Sequence, residues 1–405
     1  MAFKRGNIEK QIQHVPKTVM WCKKCVVSNQ RPRIIFDEDG VCSGCRNTEY
    51  KNNQVDWKQR EKELVELLDK HRRSDGQWDV IVPSSGGKDS GYVAHQLRYK
   101  YGMNPLTVTW SPLQYTDIGF QNFSSCIESG FTNLLCTPNG RFQRKLARLC
   151  FEELGDAFHV FVLGQISYPF QMAIKMGIKL VFYGENGEAE YAGDPEYTDK
   201  PYKPSKEWVK QHFKGLTFQE LLDFGLKNTD YLSEDDFIES DLIFYEPPSV
   251  EALKKAGILG KHFYSYYHKW SPQENYYYCT EHTGFKPNPE RTEGTYSKYV
   301  SLDDKVDGLH YWCALIKYGV GRATDEAAQE CRHNYITRDE AVTLVKKYDK
   351  EFPKKYFQDY LAFTGLKEED FFNIVDGYRP EHLWEKVGND YRFAENWKLK
   401  KAVYK

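Results

Sequence analysis

Two clusters of residues in this chain have the types and the spacing to do chemistry. The first is "SSGGKDS", Ser84 to Ser90. At a strand-to-helix turn, the backbone N–H groups of Ser85, Gly86 and Gly87 can form a nest for an anion, capped by the N-terminus of the following helix. The paired glycines let the main chain approach phosphate oxygens without a Cβ in the way. Ser85 and Ser90 add hydroxyl donors, Lys88 a point charge, and Asp89 a metal or helix-cap partner. A Walker A loop has its lysine directly before a hydroxyl residue. Here Asp89 stands between Lys88 and Ser90, so phosphate binding is expected without the usual γ-phosphate geometry.

The second cluster is cysteine. "WCKKC" supplies Cys22 and Cys25, and "VCSGC" supplies Cys42 and Cys45, two C-x2-C knuckles with 16 residues between them. That spacing suits a tetrahedral Zn(II) held by four thiolates, with "FDEDG" as a turn between short strands. Four thiolates leave no open position, so such a site is structural; two unrelated thiol pairs are the alternative. The remaining cysteines (Cys126, Cys136, Cys150, Cys279, Cys313 and Cys331) form no C-x2-C pair and read as ordinary buried thiols.

The elements that must position these groups follow from hydropathy. "WKQREKELVELLDKHR" (57–72) is an amphipathic helix with Leu64, Leu67 and Leu68 on one face. Val80, Ile81 and Val82 make a short apolar run of the kind found in buried parallel strands. "DSGYVAHQLRYKYG" reads as a helix stopping at Gly102, and further strands are expected at 105–110, 132–137 and 178–186. Helices at 141–154 and near 166–176 complete a strand–helix alternation, which indicates an α/β fold with an open parallel sheet. Ligands in such sheets sit beyond the carboxyl ends of the strands. Those ends carry "SSGGKDS", "TW" (Thr109, Trp110) and "GEN" (Gly184, Glu185, Asn186), so one crevice is expected to collect them. Periodicity weakens from 187 to about 300, where aromatic and basic loops predominate. Short helices are expected there at 217–227 and 250–257, and a loop region this long is normally functional. Regular helices return with "DGLHYWCALIKYG", "RATDEAAQECRH" and "TRDEAVTLVKKYD", where Thr337 and Glu340 fit a capping box. The stretch 351–405 reads as helical, charged and aromatic. Four parts are expected: a ribbon (1–55), a nucleotide-binding α/β domain (56–190), a substrate-binding insertion (191–300), and a helical region (301–405) that completes the site and offers a partner surface.

The 405 residues carry 56 Lys+Arg against 58 Asp+Glu, so no global basic field points to nucleic acid or an anionic membrane. "MAFKRGNIEKQIQHV" has no apolar signal-like run, and no stretch approaches a membrane span. A cytoplasmic location without membrane insertion is the expectation. The 29 tyrosines and 24 phenylalanines crowd the second half, where they serve packing or line pockets.

"SSGGKDS" resembles the pyrophosphate loop, S-G-G-x-D-S, of the PP-loop ATP pyrophosphatases, which have the adenine nucleotide alpha hydrolase-like fold. The resemblance implies ATP cleavage between the α- and β-phosphates, adenylation of a carbonyl oxygen, and displacement of AMP by a nitrogen or sulfur nucleophile. One branch, the tRNA sulfur transferases, uses additional clustered cysteines and a basic surface. Cys126, Cys136 and Cys150 are a poor substitute for the first, and balanced charge argues against the second. Another branch fits better. "YGENGEAEYAG" (183–193), "FKPNPERTEGTYSKY" (285–299), "LDDKVDG" (302–308) and "IKYGVGRATDEAAQECRHNYITRDEAVTLVKKYD" (316–349) resemble the N-acetyl sugar amidotransferases. Those enzymes of bacterial O-antigen and flagellar sugar biosynthesis turn an acetamido group into an acetamidino group. The resemblance runs from Cys22 to about residue 353.

What it implies is chemically coherent. An amide is a poor electrophile, and adenylating its oxygen makes AMP the leaving group for attack by ammonia. Expected cofactors are ATP, Mg(II) bridging its phosphates, and a structural Zn(II). No glutaminase is visible: the chain begins Met-Ala-Phe and shows no Cys-His-Glu triad spacing. The resemblance therefore implies a separate glutaminase and an ammonia-channel barrel protein similar to the histidine-pathway synthase pair, with free ammonia left open. The expected nucleotide set is Ser84, Ser85, Gly86, Gly87, Lys88, Asp89, Ser90, Thr109, Trp110 and Gly184. Lys88, Asp89, Glu185 and Asn186 are the expected catalytic residues; Glu185 and Asn186 would hold Mg(II), ribose or the acetamido nitrogen. Arg291, Lys298 and Arg322 would grip a sugar carboxylate or a nucleotide diphosphate, with an ordinary surface ion pair as the alternative for each. Asp303 and Asp304 would orient a sugar hydroxyl or hold metal, with a helix N-cap as the plain alternative. Tyr276, Tyr277 and Tyr278 read as packing, and His268 and His282 have no partner motif. A non-catalytic nucleotide-binding scaffold is the competing class of function.

Overall fold

Val80, Ile81 and Val82 are buried and form β1 (Val80–Pro83), the centre of a six-stranded sheet. In the computed structural model, which describes residues 8–12, 15–208, 212–388 and 396–405, β1 pairs in parallel with β2 (Pro105–Trp110) on one side and β4 (Leu180–Tyr183) on the other. β3 (Asn133–Cys136) extends the sheet beyond β2, and β6 (Lys261–Phe263) beyond β4, both in parallel register. The two-residue β5 (Tyr202–Lys203) closes the β6 edge antiparallel, giving the order β3-β2-β1-β4-β6-β5. The direction of strand succession reverses between β1 and β4, the topological switch point where ligands of open α/β sheets bind. The sequence reading did not find β5 and β6. Their exposed-looking residues Lys203, Lys261 and His262 are all buried, so hydropathy pointed away from strand.

Side chains alternate across the sheet as the two-residue period requires. Val80, Val82, Leu180 and Phe182 face one layer, with α3 (Lys88–His95) and α2 (Trp57–His71). Ile81, Leu106, Val108 and Val181 face the other, with α5 (Gly140–Leu154) and α6 (His159–Met176). α6 lies across β1, β2 and β4, and Gly164 lets it approach: a Cβ there would lie 2.0 Å from the Trp110 ring. α4 (Asp117–Glu128) follows β2, and the insertion contributes α7 (Phe218–Asn228), α8 (Val250–Ala256) and α9 (Pro272–His282).

The cysteine segment shares its core with the C-terminal helices. α1 (Ser43–Asn53) starts directly after Cys42, and the short bridges Trp21–Ser28 and Phe36–Cys42 frame the two knuckles. Ala327 and Ala328 of α11 (Arg322–Arg332), with Ala341 and Val345 of α12 (Arg338–Tyr348), pack in one cluster with the four cysteines. Residues 1–7, 13 and 14 of the expected ribbon lie outside the described residues. α10 (Asp307–Tyr318) leads into α11, and α12 starts on the capping box of Thr337 and Glu340.

The tail departs from the all-helical expectation. After α13 (Phe357–Thr364) and α14 (Glu368–Asp376), an antiparallel pair forms from β7 (Trp384–Lys386) and β8 (Trp397–Leu399). The Arg379 guanidinium lies over Trp384 and Trp397, at 4.6 and 5.2 Å from the ring centroids. Tryptophan is among the residues enriched in strands, where its ring packs against cross-strand neighbours. Among the described residues, no helix is long and apolar enough to cross a membrane.

Candidate active site

The loop after β1 is built to leave main-chain donors free. The Ser84 N–H donates to the Val108 carbonyl, extending the sheet by one residue. Its hydroxyl accepts from the Gly86 N–H at 3.2 Å and meets the Ser90 hydroxyl at 3.0 Å. The Thr109 hydroxyl donates to the Ser84 carbonyl, and Asn133 donates to Thr109 at 2.8 Å, so β2 and β3 fix where the loop begins. Gly86 is required twice over. It has φ +85°, and a Cβ would lie 2.4 Å from the Phe123 Cα. Gly87 occupies the N-cap of α3 without a capping side chain, which leaves the first-turn N–H groups for an anion.

Lys88 is buried, with its Nζ 2.5 Å from Asp89 Oδ2, and Asn275 of α9 donates to the other Asp89 oxygen at 2.9 Å. Two thiols stand behind the loop. Cys279 donates to the Lys88 carbonyl at 3.0 Å, and Cys126 lies beside Ser84. Burial pushes them up to about 12 and about 11, so neither is a thiolate nucleophile at neutral pH.

The segment after β4 forms the opposite side. Burial, then the neighbouring charge of Asp89, pushes the Glu185 carboxyl up to about 7. Asn186 has a different task from the one expected. Its Nδ2 donates to the Tyr197 carbonyl at 2.6 Å and its Oδ1 accepts the Glu188 N–H at 3.2 Å, capping the one-turn helix Gly187–Glu190. Gly184 makes room for Trp270, which a Cβ would approach to 2.6 Å. Trp110 belongs to the core, where it packs on Gly164 and Tyr245. Asn186, Gly184, Thr109 and Trp110 therefore shape the crevice from behind.

The C-terminal region supplies the third wall. Arg322, Glu326, Gln329 and Glu330 of α11 line a cavity together with Lys88, Asp89 and Tyr299. Arg322 bonds Glu326 at 2.5 Å and lies 4.2 Å over the Tyr311 ring; Thr295 donates to Glu326 at 2.6 Å. Asp303 lines the space over Ser85, Gly86 and Gly87, shares a hydrogen bond with the Ser85 side chain, and is pushed up by burial. Three expected substrate residues lie elsewhere. Arg291 forms a two-pronged pair with Glu351 at 2.6 and 2.7 Å, and Lys298 donates to the Pro289 carbonyl. Asp304 accepts from the N–H groups of Leu113 and Val306, fixing the chain after β2. Tyr299, Asn275, Glu326 and Glu330 were missed. The amphipathic pattern of "RATDEAAQECR" predicted the helix, but nothing in it told which sheet end it would face.

A second chamber of about 380 Å³ adjoins this cavity, with Tyr191 and Asp325 lining both. Its wall joins Arg31 and Arg33 from the cysteine segment to Glu185, Asp156, Lys214 and His310. Arg31 pairs with Asp325 at 2.5 Å, and Asp156 with Lys214 at 3.0 Å and His310 at 2.8 Å.

The four expected metal ligands converge: the Sγ atoms of Cys22, Cys25, Cys42 and Cys45 all lie within 4.8 Å of one another and are buried. Cys22–Cys45 and Cys25–Cys42 are each 3.7 Å apart. Zn–S bonds of about 2.3 Å at tetrahedral angles place sulfurs about 3.8 Å apart, so the donor set fits Zn(II). The Lys24, Cys25 and Cys42 N–H groups point at Cys22 Sγ, and Arg332 approaches Cys25 Sγ at 4.0 Å. These offset thiolate charge.

With this geometry in place, comparison with known proteins adds a name for the third wall. Residues 293–401 match the family described as "LPS biosynthesis protein WbpG-like, C-terminal domain". The C-terminal region is WbpG-like. That match covers Tyr299, Asp303, Arg322 and Glu326, and it supports the resemblance to the sugar amidotransferases. An uncharacterized protein of Methanocaldococcus jannaschii is 31% identical over 91 residues, 22% of this chain and 32% of the relative. The chain thus spans about a third of the length of that curated relative. The structure of NMN synthetase from Francisella tularensis aligns with 56% of this chain and 87% of its own, at 15% identity and a TM-score of 0.24.

Proposed function

We propose that this protein is an ATP-dependent, AMP-forming amidotransferase that converts the acetamido group of a bacterial sugar into an acetamidino group. The observation that carries this reading is the meeting of the WbpG-like helix α11 with the loop after β1: Arg322 and Glu326 line the same cavity as Lys88 and Asp89. A phosphate nest without a Walker lysine–hydroxyl pair suits a loop that holds departing pyrophosphate, and a sugar-biosynthetic wall facing it supplies the group to be activated.

On this reading the N–H groups of Ser85 and Gly87 and of the start of α3 receive the β- and γ-phosphates, with Lys88 offsetting the charge that grows on pyrophosphate. Asp89 and Asp303, on two sides of the loop, are the oxygen donors for Mg(II), which would neutralise phosphate charge. Arg322, held flat by Tyr311 and Glu326, is the fork for the substrate's anionic part. The amide oxygen attacks the α-phosphorus, pyrophosphate leaves, and the resulting O-adenylyl imidate is open to ammonia. Ammonia is largely protonated in neutral water, so its delivery from a separate glutaminase through a barrel-like channel protein belongs to the same proposal. The four cysteines hold structural Zn(II) apart from the reaction.

Incubation with ATP, Mg(II), ammonium and diacetamido sugar nucleotides tests this. Mass spectrometry should show the small mass decrease as carbonyl oxygen becomes imine nitrogen, with one AMP and one pyrophosphate per product. ATP consumption yielding ADP, or no sugar-dependent AMP, would sink the reading.

A further inference from the structure

We propose that Glu185 is the general base of the second half-reaction, taking a proton from the nitrogen nucleophile as that nitrogen bonds to the activated carbon, with the chamber beyond β4 as the nucleophile's compartment. The inference rests on the amidotransferase reading. Three carboxylates line the chamber. Asp156 is held by Lys214 and His310, and Asp325 by Arg31. Among the described residues no ion pair engages Glu185, and Asp89 and Lys88 of the neighbouring cavity, which shares Tyr191 and Asp325 with the chamber, are close enough to act on its charge. Among the described residues it is the one carboxylate of the chamber without an ion-pair partner.

Burial is the first cause that raises the Glu185 carboxyl, and the charged groups facing it add to that or offset it. Asp89 from α3 and Glu190 from the one-turn helix repel its charge, and Lys88 attracts it, though Lys88 is already closed on Asp89. Lys261 of β6 gives little compensation: burial and then Lys203 hold it well below the usual amine range, and its Nζ sits 2.9 Å from His212.

The step balances without another reactant. The protonated imidate carries AMP on its carbon and a C=N bond to the sugar nitrogen. Ammonia forms the C–N bond as the C=N electron pair moves onto the sugar nitrogen, leaving an ammonium adduct. Glu185 takes one proton from that new nitrogen. The freed lone pair then expels AMP, which departs with the C–O electrons, and an amidinium cation remains. Without the base the adduct reverts by losing ammonia.

Glu185→Gln tests the assignment through two partial reactions. Sugar-dependent isotope exchange between pyrophosphate and ATP reports adenylation, and should stay within about threefold of wild type. Ammonia-dependent amidine formation should fall about 100-fold or more. Hydroxylamine, whose adduct nitrogen is a stronger acid that gives its proton to water, should recover most of the turnover. In the wild type, amidine formation at a fixed concentration of free ammonia should fall at low pH as the carboxylate is protonated, whereas exchange measured alongside should not. Loss of exchange in a variant with wild-type melting temperature would assign Glu185 to activation or metal binding and overturn the proposal. Unchanged amidine formation, or a flat wild-type profile, would also overturn it. Absence of sugar-dependent exchange in the wild type overturns the amidotransferase reading itself, a distinct outcome.

Discussion

The cysteine cluster and the phosphate crevice are assembled in opposite ways. The cluster draws four like ligands from 24 consecutive residues, Cys22 to Cys45, and every sulfur is buried among the other three. The crevice draws on residues from Ser85 to Tyr335 and keeps uncapped N–H groups at α3, and the adjoining chamber holds Glu185, a carboxylate without an ion pair among the described residues. A site that closes on its own ligands returns its binding energy as stability. One that must receive a substrate holds donors and charges unsatisfied, at a cost the surrounding packing must offset. α11 joins the two, with Ala327 and Ala328 in the cysteine cluster's core and Arg322 and Glu326 in the crevice.

The comparison is broken most directly by removing the metal. Zinc-site binding energies in isolated fingers are on the order of 10 kcal/mol, so a strong chelator or Cys42→Ser should cause the largest loss of stability. Because α11 rests on that core, AMP formation should be lost with it. Metal analysis beside a melting curve decides: metal-free protein with an unchanged melting temperature would mean that the cysteines are not the staple described. Next comes Lys88→Ala, expected to lower AMP release by about 100- to 1,000-fold, or roughly 3–4 kcal/mol of transition-state stabilisation, with the metal-to-protein ratio unchanged. A parallel loss of metal would show that the two regions are not separable.

Arg332→Ala sharpens the link between them. This buried guanidinium lies 4.0 Å from Cys25 Sγ and donates to the Glu190 carbonyl at 2.5 Å. Removing such a partner should cost about 3 kcal/mol and weaken metal retention against a competing chelator, where an effect on neither would discard the link. The smallest effect is expected at Arg291, whose pair with Glu351 is partly exposed. Arg291→Ala should change stability by less than about 1 kcal/mol and leave the Michaelis constant for the sugar within about threefold; a larger kinetic change would return Arg291 to the substrate site.

Much of the first half of the molecule was legible because its signals are local. Apolar Val80–Val82 before two glycines specifies a strand and a turn wherever it occurs, and the Cys22/Cys25 and Cys42/Cys45 spacing brings sulfurs together through short turns. Trp110 and Asn186 show the limit. Both sit at strand ends, yet Gly164 on α6 receives the Trp110 ring, and Tyr197 and Glu188 occupy the Asn186 amide. Arg291 and Arg322 look alike in sequence, and only their neighbours, Glu351 for one and Tyr311 with Glu326 for the other, distinguish them.

By itself the sequence determined the parallel sheet, the glycine turn from strand to helix at its switch point and the four-cysteine cluster, because each depends on residue types within one or two turns of chain. Tertiary structure alone decided that α11 faces Lys88, that Glu185 opens on a chamber walled by Arg31 and Arg33, and that the tail ends in a strand pair. Those outcomes rest on contacts between segments up to some 300 residues apart, such as Arg31 with Asp325. Hydropathy and spacing report which face of a segment is buried, but carry no information about which distant surface buries it.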